Sequence, residues 1–325
     1  MKSQRDAFIT ALFEQAKVNP DIYLVSVDMG APALDQWRQE LPDQFLTAGI
    51  SEQHAINFAA GLSAQKKRVY VYFMACWTAR CLEQIRYSCA MANNPITIVG
   101  NGIGLGYAPA GPAHSPTEDI AYMKSIFGLE IFSPANSQVA EALVSLTLEE
   151  KKLRYLRLER SYPTILATYY ADTNSNQLQQ GLSILKTVDH PDAIILASGY
   201  MLGRALDLAA RLEKEGCNIS VVDLFRIKPI NTELLSSILS NSQSVITLEE
   251  QGLNGGFGAS VCETLADSGL KKNVLRIGLP EHYLFENGIR EHLLDHNSLS
   301  LENIHQRTLK FLDHSKGKIT MMADV

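Results

Sequence analysis

Apolar residues occur along the first half of this chain in two alternating patterns. Short continuous runs at 22–27, 69–75, 96–99, 129–132 and 153–158 are typical of buried strands. Between them, apolar side chains recur every three or four positions, as in a helix with one buried face. Strands that alternate with helices indicate a mostly parallel sheet covered on both faces. We therefore predict an α/β fold for this half.

A second alternation follows a stretch without clear periodicity. Residues 164–189 begin with many Tyr, Thr, Asn and Gln side chains, and we interpret them as a linker. Beyond the linker, apolar runs predict further strands at 193–198, 219–222, 245–248 and 274–277. The chain is therefore predicted to form two domains, 1–163 and 190–325, each a mostly parallel sheet flanked by helices.

Three polar residues are predicted to begin helices. Ser51 precedes one helical pattern, and Thr78 precedes another over 79–92. The segment Ser115-Pro116-Thr117-Glu118 has the spacing of a capping box with proline at the first helical position. We expect a helix to begin directly after each of these positions.

Composition narrows the class of protein. Hydrophobic residues make up 46% of the 325 residues, charged residues 20%, and the formal net charge is -6, which does not favour nucleic acid as a partner. No apolar run approaches the ~18 residues that a membrane span needs, and the first residues do not resemble a signal peptide. The five cysteines lack metal-ligand spacing, so we expect reduced thiols, no metal site and a cytoplasmic location.

The most informative stretch, 47–61, places a carboxylate on an apolar helix face. Helical spacing puts Glu52 on the same side as Ile56 and Ala59. A carboxylate that faces a core is costly unless it is paired or protonated. A helix N-terminus stabilises an acidic residue in its first turn, which gives Glu52 a purely structural alternative.

This stretch resembles the transketolase family. Gly49-Ile50-Ser51-Glu52-Gln53-His54, followed by Ala59-Ala60-Gly61-Leu62, is similar to the G-I-x-E-Q/H segment of transketolases and of 1-deoxy-xylulose-5-phosphate synthase. The resemblance implies that Glu52 hydrogen-bonds the aminopyrimidine of thiamine diphosphate and activates this cofactor. A carboxylate in a dry pocket suits that proton exchange.

Further residues are assigned to the cofactor by the same resemblance. Glu83-Gln84-Ile85-Arg86 is similar to the family's (D/E)-Q-(I/V)-R segment. The alignment places Trp77 on an aromatic that stacks on the aminopyrimidine, and Met74 where an aromatic is usual. Arg80 and Asp28 are also expected on the cofactor side, and a flat apolar slot suits a heteroaromatic ring.

A second resemblance assigns the substrate side. The segment from Ala110 to Ile120 is similar to the family's D-G-P-T-H-Q-x-x-E-D segment, which implies that His114 faces the substrate and moves protons. We expect a helix N-terminus directly after His114, which disfavours an imidazolium.

Two positions of this loop depart from the family, and one arginine matches it. Ala110 stands where an aspartate usually contacts the donor sugar, and a basic residue at the loop's start falls near Gly102 or Ile103. Arg157 and Arg160 both resemble the family's strand-end arginine, of which Arg160 is the better match. A guanidinium fork at Arg160 suits phosphate or another anion.

The G-D-G…N segment, which holds magnesium and the diphosphate in full-length relatives, does not occur in these 325 residues. The resemblance therefore implies a transketolase split into subunits, in which a partner carries this segment, supplies the Mg²⁺ ligands and completes an α2β2 heterotetramer. The expected reaction is transfer of a two-carbon ketol unit between small sugars. The alternatives are the beta subunit of a 2-oxo acid dehydrogenase, an enzyme like 1-deoxy-xylulose-5-phosphate synthase, and a non-catalytic paralogue.

Overall fold

Two β-sheets, each covered by helices, make up the fold. The computed structural model of the chain describes residues 2–160 and 175–315. Within these ranges the strands are β1 Ile22–Ser26, β2 Phe45–Thr47, β3 Arg68–Met74, β4 Thr97–Asn101, β5 Glu130–Phe132, β6 Arg154–Leu158, β7 Ser183–Lys186, β8 Ala193–Ala197, β9 Ile219–Asp223, β10 Arg226–Lys228, β11 Ser244–Gly252 and β12 Asn273–Leu279.

The first sheet has the order β10-β5-β6-β4-β3-β1-β2, and its six strands from the first half are parallel. The second has the order β12-β11-β8-β9-β7 and is parallel except for β7. Strands β3, β4 and β6 are buried almost throughout, which explains their continuous apolar runs. The predicted α/β architecture is confirmed.

Helices cover both sheets. In the described residues they are α1 Gln4–Val18, α2 Pro32–Glu40, α3 Glu52–Ala64, α4 Leu82–Gln84, α5 Asp119–Lys124, α6 Ser137–Glu149, α7 Ser175–Gln180, α8 Met201–Lys214, α9 Thr232–Ser240, α10 Phe257–Asp267, α11 Arg290–Leu294 and α12 Leu301–Ser315. On α3, Glu52, Ile56 and Ala59 are buried while Gln53 and His54 are exposed, as the spacing predicts. No helix in the described ranges is long and apolar enough to cross a membrane.

Of the three helix-start predictions, the one after Ser51 is confirmed and the other two were wrong. Ser51 is the N-cap of α3, but its side chain makes no capping hydrogen bond. Thr78 lies inside a 3₁₀ segment, Ala75–Cys81, and donates to the carbonyl of Ala75. The capping box fails because the chain turns through two short 3₁₀ segments and α5 begins only at Asp119, without a side-chain cap.

The stretch predicted as a linker contains regular structure at its C-terminal end. Residues 164–174 lie outside the described residues, but α7 and β7 follow them, and β7 pairs antiparallel with β9. A second strand also connects the two halves, because β10 pairs antiparallel with β5 at the edge of the first sheet. The two halves therefore share one sheet edge.

Candidate active site

The carboxyl ends of the parallel strands in the first sheet bring the candidate residues to one edge. Glu52 follows β2, Met74 ends β3 with Trp77 and Arg80 beyond it, and a glycine-rich loop, residues 102–114, follows β4 and ends at His114. Ligands of open α/β sheets bind at this kind of edge. Strand order therefore explains why residues far apart in sequence converge here.

Four of the predicted residues form a continuous row of contacts. Arg80 Nη1 donates to Glu52 Oε2 at 3.1 Å, and the guanidinium carbon of Arg80 lies 4.4 Å from the Trp77 ring centre. The Trp77 and His114 rings meet edge to face, with centroids 5.5 Å apart. This row links the carboxylate to the imidazole through one guanidinium and one indole.

Glu52 combines burial with an incomplete set of partners. Only 3% of the residue is exposed, and its Oε1 accepts no hydrogen bond within the described part of the chain. The neighbouring thiols do not add charge, because burial raises the pKa of Cys76 and of Cys81 to about 12. Glu52 is thus a buried carboxylate with one oxygen paired and the other available.

His114 has a different environment from the one expected. It ends the 3₁₀ segment Pro112–His114, and the next helix begins five residues later, so the predicted effect of a helix N-terminus on its charge does not apply. Its Nδ1 is buried and finds no partner among the described residues. The structure thus leaves one buried polar atom of His114 unsatisfied beside Trp77.

The remaining predicted residues lie nearby with fewer contacts. Asp28 is exposed just beyond β1, and in the described chain it bonds none of the other candidates. Met74 is half-buried and pairs in register with Asn101 of β4. Arg160 is exposed after β6, with its guanidinium carbon 4.4 Å from the Tyr107 ring centre.

Arg157, the second arginine considered for substrate, is instead a buried structural residue. Its guanidinium donates to both carboxylate oxygens of Asp119, at 2.7 and 3.0 Å, and to Ser133. Tyr155 donates to the same carboxylate at 2.7 Å. Asp119 begins α5, so this network fixes the chain directly after the His114 loop. Asp119 lies in the D-G-P-T-H-like segment, but sequence reasoning gave it no role.

A second buried cluster joins the two domains at the glycine-rich loop. Arg290 Nε donates to Glu250 Oε1 at 2.6 Å, and Arg290 Nη2 donates to Glu159 Oε1 at 2.7 Å. A side chain at Gly104 would place its Cβ 2.1 Å from Glu250 Oε2, and the backbone there has φ +53°. The loop therefore packs against Glu250 only because residue 104 is glycine.

Glu249 anchors the helix that follows the second glycine loop. Its carboxylate accepts hydrogen bonds from the backbone N–H groups of Phe257 and Gly258, at 2.7 and 2.9 Å. Burial raises the pKa of Glu249 to about 7, and the two N–H groups act in the opposite direction. The glycine loop 252–258 is therefore fixed at its C-terminal end by Glu249.

Two clefts lie between the segment around Pro112 and the second domain. One of about 450 Å³ is lined by residues that include Pro112, Asn254 and Arg276, and one of about 380 Å³ by residues that include Cys76 and Phe285. Neither cleft is lined by Glu52, Trp77 or His114. The smaller cleft nevertheless adjoins the row, because its lining includes Cys76, Ala79 and Ala113, the chain neighbours of Trp77, Arg80 and His114.

Comparison with known proteins identifies the class that this fold and site define. Residues 1–163 match the transketolase pyrimidine-binding domain, and residues 183–304 match the transketolase C-terminal domain. The chain belongs to the transketolase family, whose members use thiamine diphosphate.

Among its relatives, a subunit of the apulose-4-phosphate transketolase of Phocaeicola vulgatus is 30% identical over 95% of this chain and 97% of that protein. The 1-deoxy-D-xylulose-5-phosphate synthase of Syntrophotalea carbinolica is 29% identical over 97% of this chain, which spans only 48% of that enzyme.

A solved structure described as a split-gene transketolase, inactive beta4 tetramer, superposes with a TM-score of 0.82 at 29% identity, covering 96% of this chain and 98% of that one. A Pichia stipitis transketolase, with a TM-score of 0.81 at 18% identity, shares the fold over 98% of this chain and 47% of its own length. These comparisons favour the transketolase interpretation over the 2-oxo acid dehydrogenase alternative.

Proposed function

We propose that this chain is the pyrimidine-binding subunit of a split, thiamine diphosphate-dependent transketolase that transfers a two-carbon ketol unit from a ketose to an aldehyde. The observation that carries the proposal is Glu52. It is a buried carboxylate whose Oε2 is paired with Arg80 while Oε1 remains available. Burial of a half-paired carboxylate is costly, so a catalytic use explains it better than a structural one.

The residues present fit the cofactor. Glu52 Oε1 would hold a proton shared with the aminopyrimidine, and Trp77 and Met74 would flank that ring and exclude water. When bound, thiamine diphosphate supplies the carbon nucleophile that attacks the ketose carbonyl. His114 would exchange a proton with a substrate hydroxyl through its ring, whose buried Nδ1 has no partner in the described chain.

A second polypeptide is part of the proposal. It would carry the G-D-G…N segment, bind Mg²⁺ and the diphosphate, and cover the exposed side of Arg80, whose side chain is 47% exposed. A relative named as one subunit of a transketolase and a split-gene neighbour in structure, each similar over almost its whole length, support such a division. We propose two copies of each subunit and a cytoplasmic location.

The test is co-expression of this chain with the product of a neighbouring reading frame that encodes G-D-G…N. Calorimetry should show tight, magnesium-dependent binding of thiamine diphosphate by the complex and only weak binding by the isolated chain. Mass analysis of products from a panel of ketoses and aldehydes should then show transfer of two carbons.

Three results would contradict the proposal. Tight, magnesium-dependent cofactor binding by the isolated chain would remove the need for a partner. Decarboxylation of pyruvate with condensation, without ketol transfer, would assign the complex to the synthase type. Transfer of an acyl group from a 2-oxo acid to a lipoyl domain would assign it to the dehydrogenases.

A further inference from the structure

The start of the glycine-rich loop is built around an aromatic ring. Gly102 has φ +74°, and a Cβ added there would lie 1.9 Å from Cε2 of Tyr107. The ring of Tyr107 therefore fills the space that any side chain at position 102 would need. The Gly102 N–H also donates to the carbonyl of Leu158 at 2.9 Å, which ties this turn to the end of β6.

The buried side-chain amide of Asn101 holds the Tyr107 hydroxyl in place. Asn101 is fully buried, and its Nδ2 donates to the Tyr107 hydroxyl oxygen at 2.9 Å. Asn101 Oδ1 is buried and accepts no hydrogen bond from the described residues. Because the phenol oxygen accepts from Asn101, its own proton remains available to donate to another group.

The Arg160 guanidinium lies over one face of the Tyr107 ring. The guanidinium carbon of Arg160 lies 4.4 Å from the Tyr107 ring centre, and Arg160 forms no salt bridge within the described ranges. A guanidinium whose face rests on an aromatic ring keeps its N–H edges free for a planar or tetrahedral anion. The pair thus presents an oriented cation and a hydroxyl donor at the same edge of the sheet.

We propose that Tyr107 is a specificity-determining residue, which orients Arg160 and donates its hydroxyl to the same phosphate group of a phosphorylated ketose. The guanidinium fork would hold two phosphate oxygens and the phenol a third. Tyr107 also restricts the choice of substrate, because its ring prevents any basic side chain at position 102 from adding a second cation. This inference deepens the proposed function and relies on it only for the identity of the sugar.

The first test measures binding without turnover. The isolated chain would be titrated with inorganic phosphate while the Nε–H signal of Arg160, assigned with Arg160→Gln, is followed by NMR. Tyr107→Leu should weaken phosphate binding about threefold to tenfold, and Tyr107→Phe should weaken it less, since it keeps the ring and loses only the hydroxyl. Arg38, which lies over the Phe45 ring at 5.1 Å, provides the matched control Arg38→Gln.

The outcomes separate this inference from the proposed function. Phosphate shifts that depend on both Tyr107 and Arg160 support the inference even if the complex transfers no ketol unit. The absence of a shift at Arg160 in the wild-type chain, or equal binding by wild type and Tyr107→Leu, would overturn it. Melting curves of each variant identify any loss of binding that is caused by unfolding.

The second test uses the assembled complex and a pair of donors, xylulose 5-phosphate and xylulose. Tyr107→Leu should lower kcat/KM for the phosphorylated donor severalfold and leave the value for xylulose unchanged. The double variant Tyr107→Leu, Arg160→Gln should lower kcat/KM by less than the product of the two single reductions, because both residues bind one group. An equal loss with both donors would show that Tyr107 only supports the loop, and would contradict the inference.

Discussion

Replacement of Glu52 by glutamine separates the catalytic use of this side chain from its structural role. The amide keeps the shape and accepts a hydrogen bond from Arg80, but it cannot hold the shared proton. Arg80 is 47% exposed, so its ion pair with Glu52 contributes less than about 1 kcal/mol to stability. We therefore expect a melting temperature within about 4 °C of wild type. Turnover should fall roughly a hundredfold or more, since a positioned proton-transfer group is lost.

The assay uses the complex with the partner subunit. Exchange of the thiazolium carbon proton, followed by NMR after transfer to deuterated solvent, should slow in parallel with turnover. Glu141→Gln, an exposed glutamate on α6, is the matched control and should leave both rates unchanged. Wild-type exchange and turnover in Glu52→Gln would show that the carboxylate is structural, and a parallel loss of folding would leave no support for a separate catalytic role.

Three further predictions concern the loop, the second domain and the network behind His114. Ala110→Asp adds a hydrogen-bonding carboxylate at an exposed loop position and should raise kcat/KM for xylulose 5-phosphate, which we expect the unmodified enzyme to use poorly; efficient use by wild type would contradict this. Burial raises the pKa of Glu249 from 4.5 to about 7, so its folded form retains a proton that the unfolded chain loses, and stability falls as pH rises through that window. Relative to Glu249→Gln, wild type should lose up to about 3 kcal/mol of its free energy of unfolding between pH 4.5 and 7, as measured with urea. If the difference in unfolding free energy between the two proteins stayed constant over this range, the buried Glu249 carboxyl would not be the cause. Arg157→Met leaves the buried Asp119 carboxylate hydrogen-bonded to Tyr155 but without its counter-charge, and should cost about 3–5 kcal/mol, whereas Arg38→Gln at the surface should cost less than about 1 kcal/mol.

The sequence predicted those features that local periodicity encodes. The buried face of α3 followed from the spacing of Glu52, Ile56 and Ala59, and the parallel sheet followed from the alternation of apolar runs with helices. Strands β2, β7 and β10 were missed because each lies at the edge of its sheet and is only partly buried, so none has a continuous apolar run.

Contacts between distant or tightly turned segments could not be predicted in this way. The capping box at Ser115 is a local motif, but the 3₁₀ turns that precede it and the Asp119–Arg157 pair move the helix start to residue 119. The contact of the Tyr107 ring with Gly102 depends on the path of a turn, and the Glu159–Arg290 pair depends on how the domains pack. Neither leaves a spacing that a single sequence reveals.

Strand β10, which the second half contributes to the first sheet, limits where this chain can be divided into two polypeptides. A fragment that ends near residue 160 would lose β10, and the backbone of β5 at Ile131 and Phe132 would then be open to other chains. The Lys228 ammonium, which donates to the carbonyls of Lys124 and Ile126, would be lost with it. The isolated first domain should therefore self-associate through the exposed edge of β5. A polypeptide that keeps residues 22–279 together retains both sheets.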